Sequence, residues 1–146
     1  MLTLSSLGGA GTVTGSKHLL THGQTRLLVD CGLFQGLKNL RELNWEALPV
    51  DPRSIDAVVL THAHLDHSGY LPKLVKDGFS GSIFSTPATR AVAELILKDS
   101  AHLQEKDADF ANRKEFSRHH PALPLYGVRE AERALQAFVP VPPHKS

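Results

Sequence analysis

The sequence predicts an α/β fold in which strands and helices form layers around one hydrophobic core. Its 146 residues are enough for a single domain, and 41% of them are hydrophobic. Short apolar runs typical of strands alternate with segments whose apolar residues recur at helical spacing. The formal net charge is +1, and no apolar run approaches the roughly 20 residues that cross a bilayer. Bulk composition therefore indicates neither a strongly cationic nucleic-acid binder nor a membrane protein.

Three strands are expected in the first part of the chain, at residues 2–7, 16–21 and 26–31. Leucines alternate with polar residues in the first strand, until the glycine-rich residues 8–11 interrupt the pattern. The second and third strands are expected to form a hairpin whose turn is residues 22–25. The third strand contains an apolar run that is typical of burial on both faces, and this run ends at Asp30.

Helices and strands are expected to alternate in the rest of the chain. They are a helix at 37–48, a strand at 55–60, a helix at 71–75, a strand at 82–85, a long helix from Pro87 and a last helix at 128–138. Gly78 is expected to end the second of these helices, and Thr86 is a suitable N-cap for the long one.

The long helix is expected to present an apolar stripe made of Ala91, Val92, Leu95, Ile96 and Leu103. Residues 105–118 are highly charged, which favours a solvated face or a loop. Residues 139–146 are rich in proline and are expected to add no core element.

The clearest chemical signal follows the strand at 55–60, where four metal-binding side chains occur within six residues: His62, His64, Asp66 and His67. Alternate residues of an extended chain point to the same side, so His62 and His64 can converge on one point. Asp66 and His67 fall in the first turn of the next helix and can converge on a second point nearby. Imidazole and carboxylate suit zinc, manganese or iron(II), and two ions about 3.5–4 Å apart can hold a bridging hydroxide and stabilise both the attacking and the leaving oxygen. The spacing therefore predicts a metal site.

The segment from His62 to His67 resembles the H-x-H-x-D-H signature of the metallo-β-lactamase superfamily. More of the chain is similar to its β-CASP group of RNA-processing nucleases, relatives of the cleavage and polyadenylation endonuclease. The similar stretches are residues 8–11, 14–16, 28–36, 62–72 and 120–126. The resemblance implies the amino-terminal half of the superfamily's αββα sandwich, with residues 1–146 forming an incomplete domain that lacks the second half and the β-CASP insert.

The resemblance also implies a role for each matching residue. His62 and His64 would bind a first zinc ion, and Asp66 and His67 a second, with Asp66 also orienting the nucleophile. Asp30 matches the family's first-motif aspartate, which supports the site from beside the metals. From the residues alone, Asp30 can accept the second N–H of a ligand imidazole, or it can cap the turn before Gly32.

The implied activity is zinc-dependent cleavage of RNA phosphodiester bonds by the full-length parent. The family's later histidines and bridging aspartate have no match, because His119, His120 and His144 lie in charged or proline-rich surroundings. We therefore expect partial or absent zinc occupancy and little activity from this chain alone. Two alternatives would use the same histidines: a thioester or lactone hydrolase of the superfamily, and a non-catalytic metal-binding half-domain.

The expected partner of the parent is RNA, and no membrane partner is expected. An apolar face that the missing strands would cover predicts self-association. The lone Cys31 and the lack of a signal-peptide pattern predict a reducing cytoplasm. Two features stay open: residues 8–11 suit a phosphate cradle or a backbone turn near the metals, and a basic cluster suits RNA phosphates or a solvated surface. That cluster is Arg113, Lys114, Arg118, His119 and His120.

Overall fold

The computed structural model describes residues 1–114 and 121–144 and contains one six-stranded mixed sheet. The strands are β1 (Leu2–Gly8), β2 (Lys17–His22), β3 (Thr25–Val29), β4 (Ala57–Val59), β5 (Ser82–Ser85) and β6 (Phe138–Pro140). They lie side by side in chain order, antiparallel from β1 to β3 and parallel from β3 to β6. The α/β prediction is thus confirmed.

Five α-helices accompany the sheet in the described part of the chain. They are α1 (Lys38–Glu42), α2 (Leu65–Ser68), α3 (Leu71–Lys76), α4 (Pro87–Lys114) and α5 (Val128–Gln136), with 3₁₀ turns at Leu43–Trp45 and Pro52–Ser54. Every helix in residues 1–114 and 121–144 is too short or too polar to cross a bilayer.

The core is centred on one residue from each of three parallel strands. Leu28 pairs with Val58, and Val58 with Ile83, and all three are fully buried. This register sets the carboxyl ends of β3 and β4 side by side, which is the usual place for a site in a parallel sheet. The predicted hairpin is also confirmed, with His22 opposite Thr25 and Gly23 in the left-handed region of the turn.

The prediction for helix 37–48 was wrong in length. The α-helix ends at Glu42, and a 3₁₀ turn follows it. The buried residue of this segment is Asn44, whose side chain accepts the Phe34 N–H and donates to the Phe34 carbonyl, each at 2.8 Å. The segment is therefore attached to the preceding part of the chain by the Asn44 side chain.

The predicted apolar stripe of α4 was also wrong, because Val92, Leu95 and Leu103 are exposed. The residues of α4 that reach the core are mostly small: Ala93, Leu97, Ala101 and Ala108. Small side chains let α4 approach its neighbours closely, a preference that a hydrophobicity pattern does not reveal. The helix also continues through Lys114, although the charge pattern of residues 105–118 was equally compatible with a loop. Of the basic cluster, Arg113 and Lys114 lie in α4, and Arg118, His119 and His120 lie outside the described residues.

The chain ends in an edge strand that was not predicted, and its one buried residue, Phe138, was predicted to belong to the last helix, which in fact ends at Gln136. Phe138 is buried and begins β6, which pairs in parallel with β5. The Val141 N–H then donates to the Ser85 carbonyl at 2.7 Å. Pro140 is compatible with this strand because β6 is at the sheet edge, where one side needs no N–H donor.

A buried lysine lies at the start of β2. Lys17 is 1% exposed, and its ammonium stands 4.5 Å from the Phe34 ring centroid and 4.7 Å from that of Tyr70. Its one hydrogen bond to protein in the described residues is a long one, 3.5 Å, to the Gly15 carbonyl. Burial lowers the pKa of Lys17 from its ordinary value, with the thiol of Cys31 acting weakly in the opposite direction. The aromatic rings compensate part of the cost of burying this charge.

Candidate metal centre

The candidate metal centre lies where β3 and β4 end and α2 begins. Asp30 follows β3 directly, and Thr61 and His62 follow β4 after Leu60. His64 is the N-cap of α2, and Asp66 and His67 lie in its single turn, as the sequence predicted. The Ser68 hydroxyl donates to the carbonyls of Ala63 (2.9 Å) and His64 (3.1 Å), so the loop between strand and helix is fixed from the helix side.

The backbone after β3 runs against α2 at very short range. The Cys31 N–H donates to the His67 carbonyl at 2.7 Å, and the Leu33 N–H to the Leu65 carbonyl at 3.1 Å. Between them, Gly32 leaves no room for a side chain, because a Cβ there would overlap the carbonyl group of Asp66. Glycine is therefore needed at this position for close approach.

The glycine-rich loop after β1 also reaches the site. Gly9, Gly11 and Gly15 adopt positive φ angles, and the next residue, Ser16, donates its N–H to the Asp66 carbonyl at 2.9 Å. Gly9 lies directly against Ser16, since a Cβ there would come within 2.9 Å of the Ser16 Cα, so residues 8–11 are part of a backbone turn next to the segment that contacts α2.

Asp30 is the hydrogen-bonding hub of the centre. Its side chain is 5% exposed, and its backbone is in the left-handed region at φ 59°, which aspartate tolerates better than most residues. The carboxylate accepts the Thr61 N–H at 2.8 Å and lies 2.8 and 3.0 Å from the Thr61 hydroxyl. Its Oδ2 is also 2.9 Å from His67 Nδ1. The sequence alone allowed a turn cap or an imidazole partner, and the described geometry has the imidazole contact.

The contact with Asp30 determines which nitrogen of His67 is available. An ionised carboxylate only accepts hydrogen bonds, so Nδ1 of His67 donates, and in the neutral ring Nε2 carries the lone pair. That Nε2 lies 3.6 Å from Oδ2 of Asp66. The Nε2 lone pair and the Asp66 carboxylate are both electron donors, so a cation placed between them would be attracted to both.

The three histidines form a cluster of rings. The centroid of the His62 ring is 4.0 Å from that of His67 and 4.8 Å from that of His64. His64 is exposed, whereas His62, Asp66 and His67 are half-buried. In residues 1–114 and 121–144, no three His, Cys, Asp or Glu side chains stand in an arrangement that would hold a metal ion. The donor set of three imidazoles and a carboxylate nevertheless fits a divalent metal in its chemistry.

Comparison with known proteins decides the family. Residues 11–141 match the sequence profile described as the metallo-beta-lactamase superfamily. The chain belongs to this superfamily. Membership confirms the resemblance drawn from the motif at 62–67, and it implies the use of a divalent metal.

Three relatives place the chain within the metallo-β-lactamase superfamily. Ribonuclease TTHA0252 of Thermus thermophilus is 39% identical over 134 residues, which are 92% of this chain and 27% of the relative. Transcription termination factor FttA of Cenarchaeum symbiosum is 34% identical over 145 residues, 97% of this chain and 20% of the relative. Cleavage and polyadenylation specificity factor subunit 3-I of Arabidopsis thaliana is 34% identical over 99 residues, 67% of this chain and 14% of the relative. The chain thus spans about a quarter or less of the length of these proteins.

Sequence reasoning missed two residues that shape this metallo-β-lactamase centre. Thr61 contacts both Asp30 and His62, and Gly32 allows α2 to approach. A hydroxyl residue directly between a buried strand and the first histidine was the available signal for Thr61. For Gly32 the signal was a glycine two residues beyond Asp30.

Proposed function

We propose that this chain is the amino-terminal part of a zinc-dependent hydrolase that cleaves RNA phosphodiester bonds. The observation that carries the proposal is the Asp30–His67 pair at 2.9 Å, which leaves a ring nitrogen free for a metal within the histidine cluster. The names of the relatives, a ribonuclease among them, support RNA as the substrate class.

In this proposal four residues hold the metals: His62 and His64 the first ion, Asp66 and His67 the second. A divalent ion supplies Lewis-acid stabilisation of the charge that develops on phosphoryl oxygens. Asp66 orients the attacking nucleophile. Asp30 binds no metal; it keeps the proton of His67 on Nδ1 and so holds the ring in its ligating form.

We further propose that residues 1–146 are part of a larger metallo-β-lactamase domain, whose remainder would supply the other metal ligands and the β-CASP insert. Catalytic zinc normally has about three protein ligands, and four side chains shared by two ions fall short of that number. Partial zinc occupancy and weak activity are therefore expected from this chain. The fully buried Cys31 is consistent with the cytoplasmic location that we predict.

Zinc titration with an RNA cleavage assay tests the function. The metal-free 146-residue chain is titrated with zinc by calorimetry, and each loaded sample is incubated with a labelled single-stranded RNA. We expect zinc binding and slow cleavage, both reduced at least tenfold in His64→Ala. The matched control is His22→Ala, since His22 is an exposed histidine at the end of β2.

The outcomes separate the candidates. Loss of zinc binding and of RNA cleavage in His64→Ala, with both retained in His22→Ala, supports the nuclease. Zinc binding with cleavage of a thioester or lactone and not of RNA favours the other hydrolase class. Zinc binding without turnover at any protein concentration indicates a non-catalytic half-domain. An equal effect of both variants would remove the histidine cluster from the proposal.

A further inference from the structure

We propose that Thr61 is a positioning residue that links Asp30 to His62 and fixes which nitrogen of the His62 ring carries the proton. The proposal concerns the chain's own hydrogen bonds, and its consequence for metal binding rests on the proposed function above.

The first step is the direction of the bond between Thr61 and Asp30. The Thr61 hydroxyl oxygen lies 2.8 Å from Oδ2 and 3.0 Å from Oδ1 of Asp30. A carboxylate has no proton to give, so the hydroxyl proton points to Asp30. The Thr61 N–H also donates to Oδ1 at 2.8 Å, which holds the threonine in place from its backbone.

The second step follows at His62. Its Nδ1 is 2.9 Å from the Thr61 hydroxyl oxygen, whose single proton is already committed to Asp30. The oxygen therefore accepts, Nδ1 of His62 donates, and in the neutral ring Nε2 of His62 carries the lone pair. No hydrogen bond joins Asp30 to His62 directly in the described part of the chain, so the threonine hydroxyl is the link between them.

One buried carboxylate thereby imposes the same protonation pattern on two rings. Asp30 accepts a hydrogen bond from His67 directly, and it acts on His62 through the Thr61 hydroxyl. The centroids of the two rings are 4.0 Å apart. Thr61 itself is exposed, so packing alone does not explain a threonine at this position. A β-branched side chain has few χ1 rotamers, which suits a hydroxyl that must face two partners at once.

The test uses three variants of the metal-free 146-residue chain. Thr61→Val keeps the shape and removes the hydroxyl, Thr61→Ser keeps the hydroxyl, and Thr3→Val is a matched control on the exposed strand β1. Nitrogen-15 NMR of the imidazole rings reports which nitrogen of His62 is protonated. We expect Nδ1–H in the wild type, Thr61→Ser and Thr3→Val, and a several-fold smaller Nδ1–H fraction in Thr61→Val. Zinc affinity should fall about 10–100-fold in Thr61→Val alone, as is typical for partners of metal ligands.

Two results would overturn the proposal: a wild-type His62 that carries its proton on Nε2, or an unchanged His62 tautomer in Thr61→Val. The first needs no variant and so holds even if Thr61→Val fails to fold. A chain that shifts its tautomer as expected and binds no zinc would leave the role of Thr61 intact and would contradict only the zinc binding proposed for residues 62–67 of this chain.

Discussion

Replacing Gly32 with alanine should separate α2 from the end of β3. A Cβ on Gly32 would overlap the Asp66 carbonyl group and stand 2.6 Å from the His67 nitrogen, where both obstacles are backbone. The Asp66 carbonyl oxygen is the nearest obstacle, so reaching ordinary contact near 3.5–4.0 Å needs a shift of about 2 Å. Three backbone N–H groups outside α2, those of Ser16, Cys31 and Leu33, donate hydrogen bonds to backbone carbonyls of α2. At about 1 kcal/mol each, their loss should lower the free energy of unfolding by about 3 kcal/mol.

The matched control is Gly36→Ala, which separates steric overlap from backbone strain. Gly36 has φ 89°, and a methyl group added there would meet no other atom within 4 Å, so alanine carries only the conformational cost. That cost is about 1–2 kcal/mol for a left-handed residue. Gly32 is not in the positive-φ region, so its cost is steric.

Urea unfolding followed by circular dichroism measures both changes. We expect Gly32→Ala to lose more stability than Gly36→Ala and also to lose zinc affinity, since Asp66 and His67 move with α2. A Gly32→Ala variant that is as stable as Gly36→Ala and binds zinc normally would refute the argument that this close approach builds the site.

Three further predictions address charge, pH and assembly. Asp30→Asn should fold, since asparagine tolerates φ 59°, but its amide donates where the carboxylate accepted, so calorimetry should show zinc affinity about 10–100-fold lower. Because burial lowers the Lys17 pKa below 10.5, the unfolded chain binds more protons, and stability should rise with pH from that lowered value towards 10.5. The urea midpoint of the wild type should therefore rise with pH relative to that of Lys17→Met, because the opposing contribution of the buried Cys31 thiol is common to both proteins. Leu4→Lys should reduce self-association in sedimentation experiments, because Leu2 and Leu4 leave the edge strand β1 apolar and exposed; a monomeric wild type would contradict this.

Local signals predicted the parts of the fold that depend on neighbours in sequence. The strand at Ser82–Ser85 has the predicted bounds, and Thr86 caps α4 by accepting the Thr89 N–H at 3.2 Å. The predictions that were wrong concern features that depend on contacts between residues far apart in the sequence. Which face of α4 is buried was decided by its close approach to α5, and β6 exists because β5 offers it an edge.

The candidate site divides in the same way. Residues 62–67 were recognisable because their chemistry is concentrated in one short segment. Asp30 was found through its place at a strand end and the family resemblance. Thr61 was missed because its hydroxyl acts on a carboxylate 31 residues earlier, a contact that exists only once β3 and β4 pair in parallel.

The arrangement separates the residues that would bind metal from those that hold the ligands in place. Asp30, Thr61 and the backbone at Cys31 act on the histidines and on α2, and all of them lie within the first 67 residues. Two rings are therefore already ordered before any ion arrives, so little conformational entropy remains to be lost on binding. Zinc affinity in this chain should accordingly be limited by the number of ligands and not by their disorder. Since an ion that binds only the folded state stabilises it by RT ln(1 + [L]/Kd), the zinc dependence of the unfolding midpoint measures that limit directly.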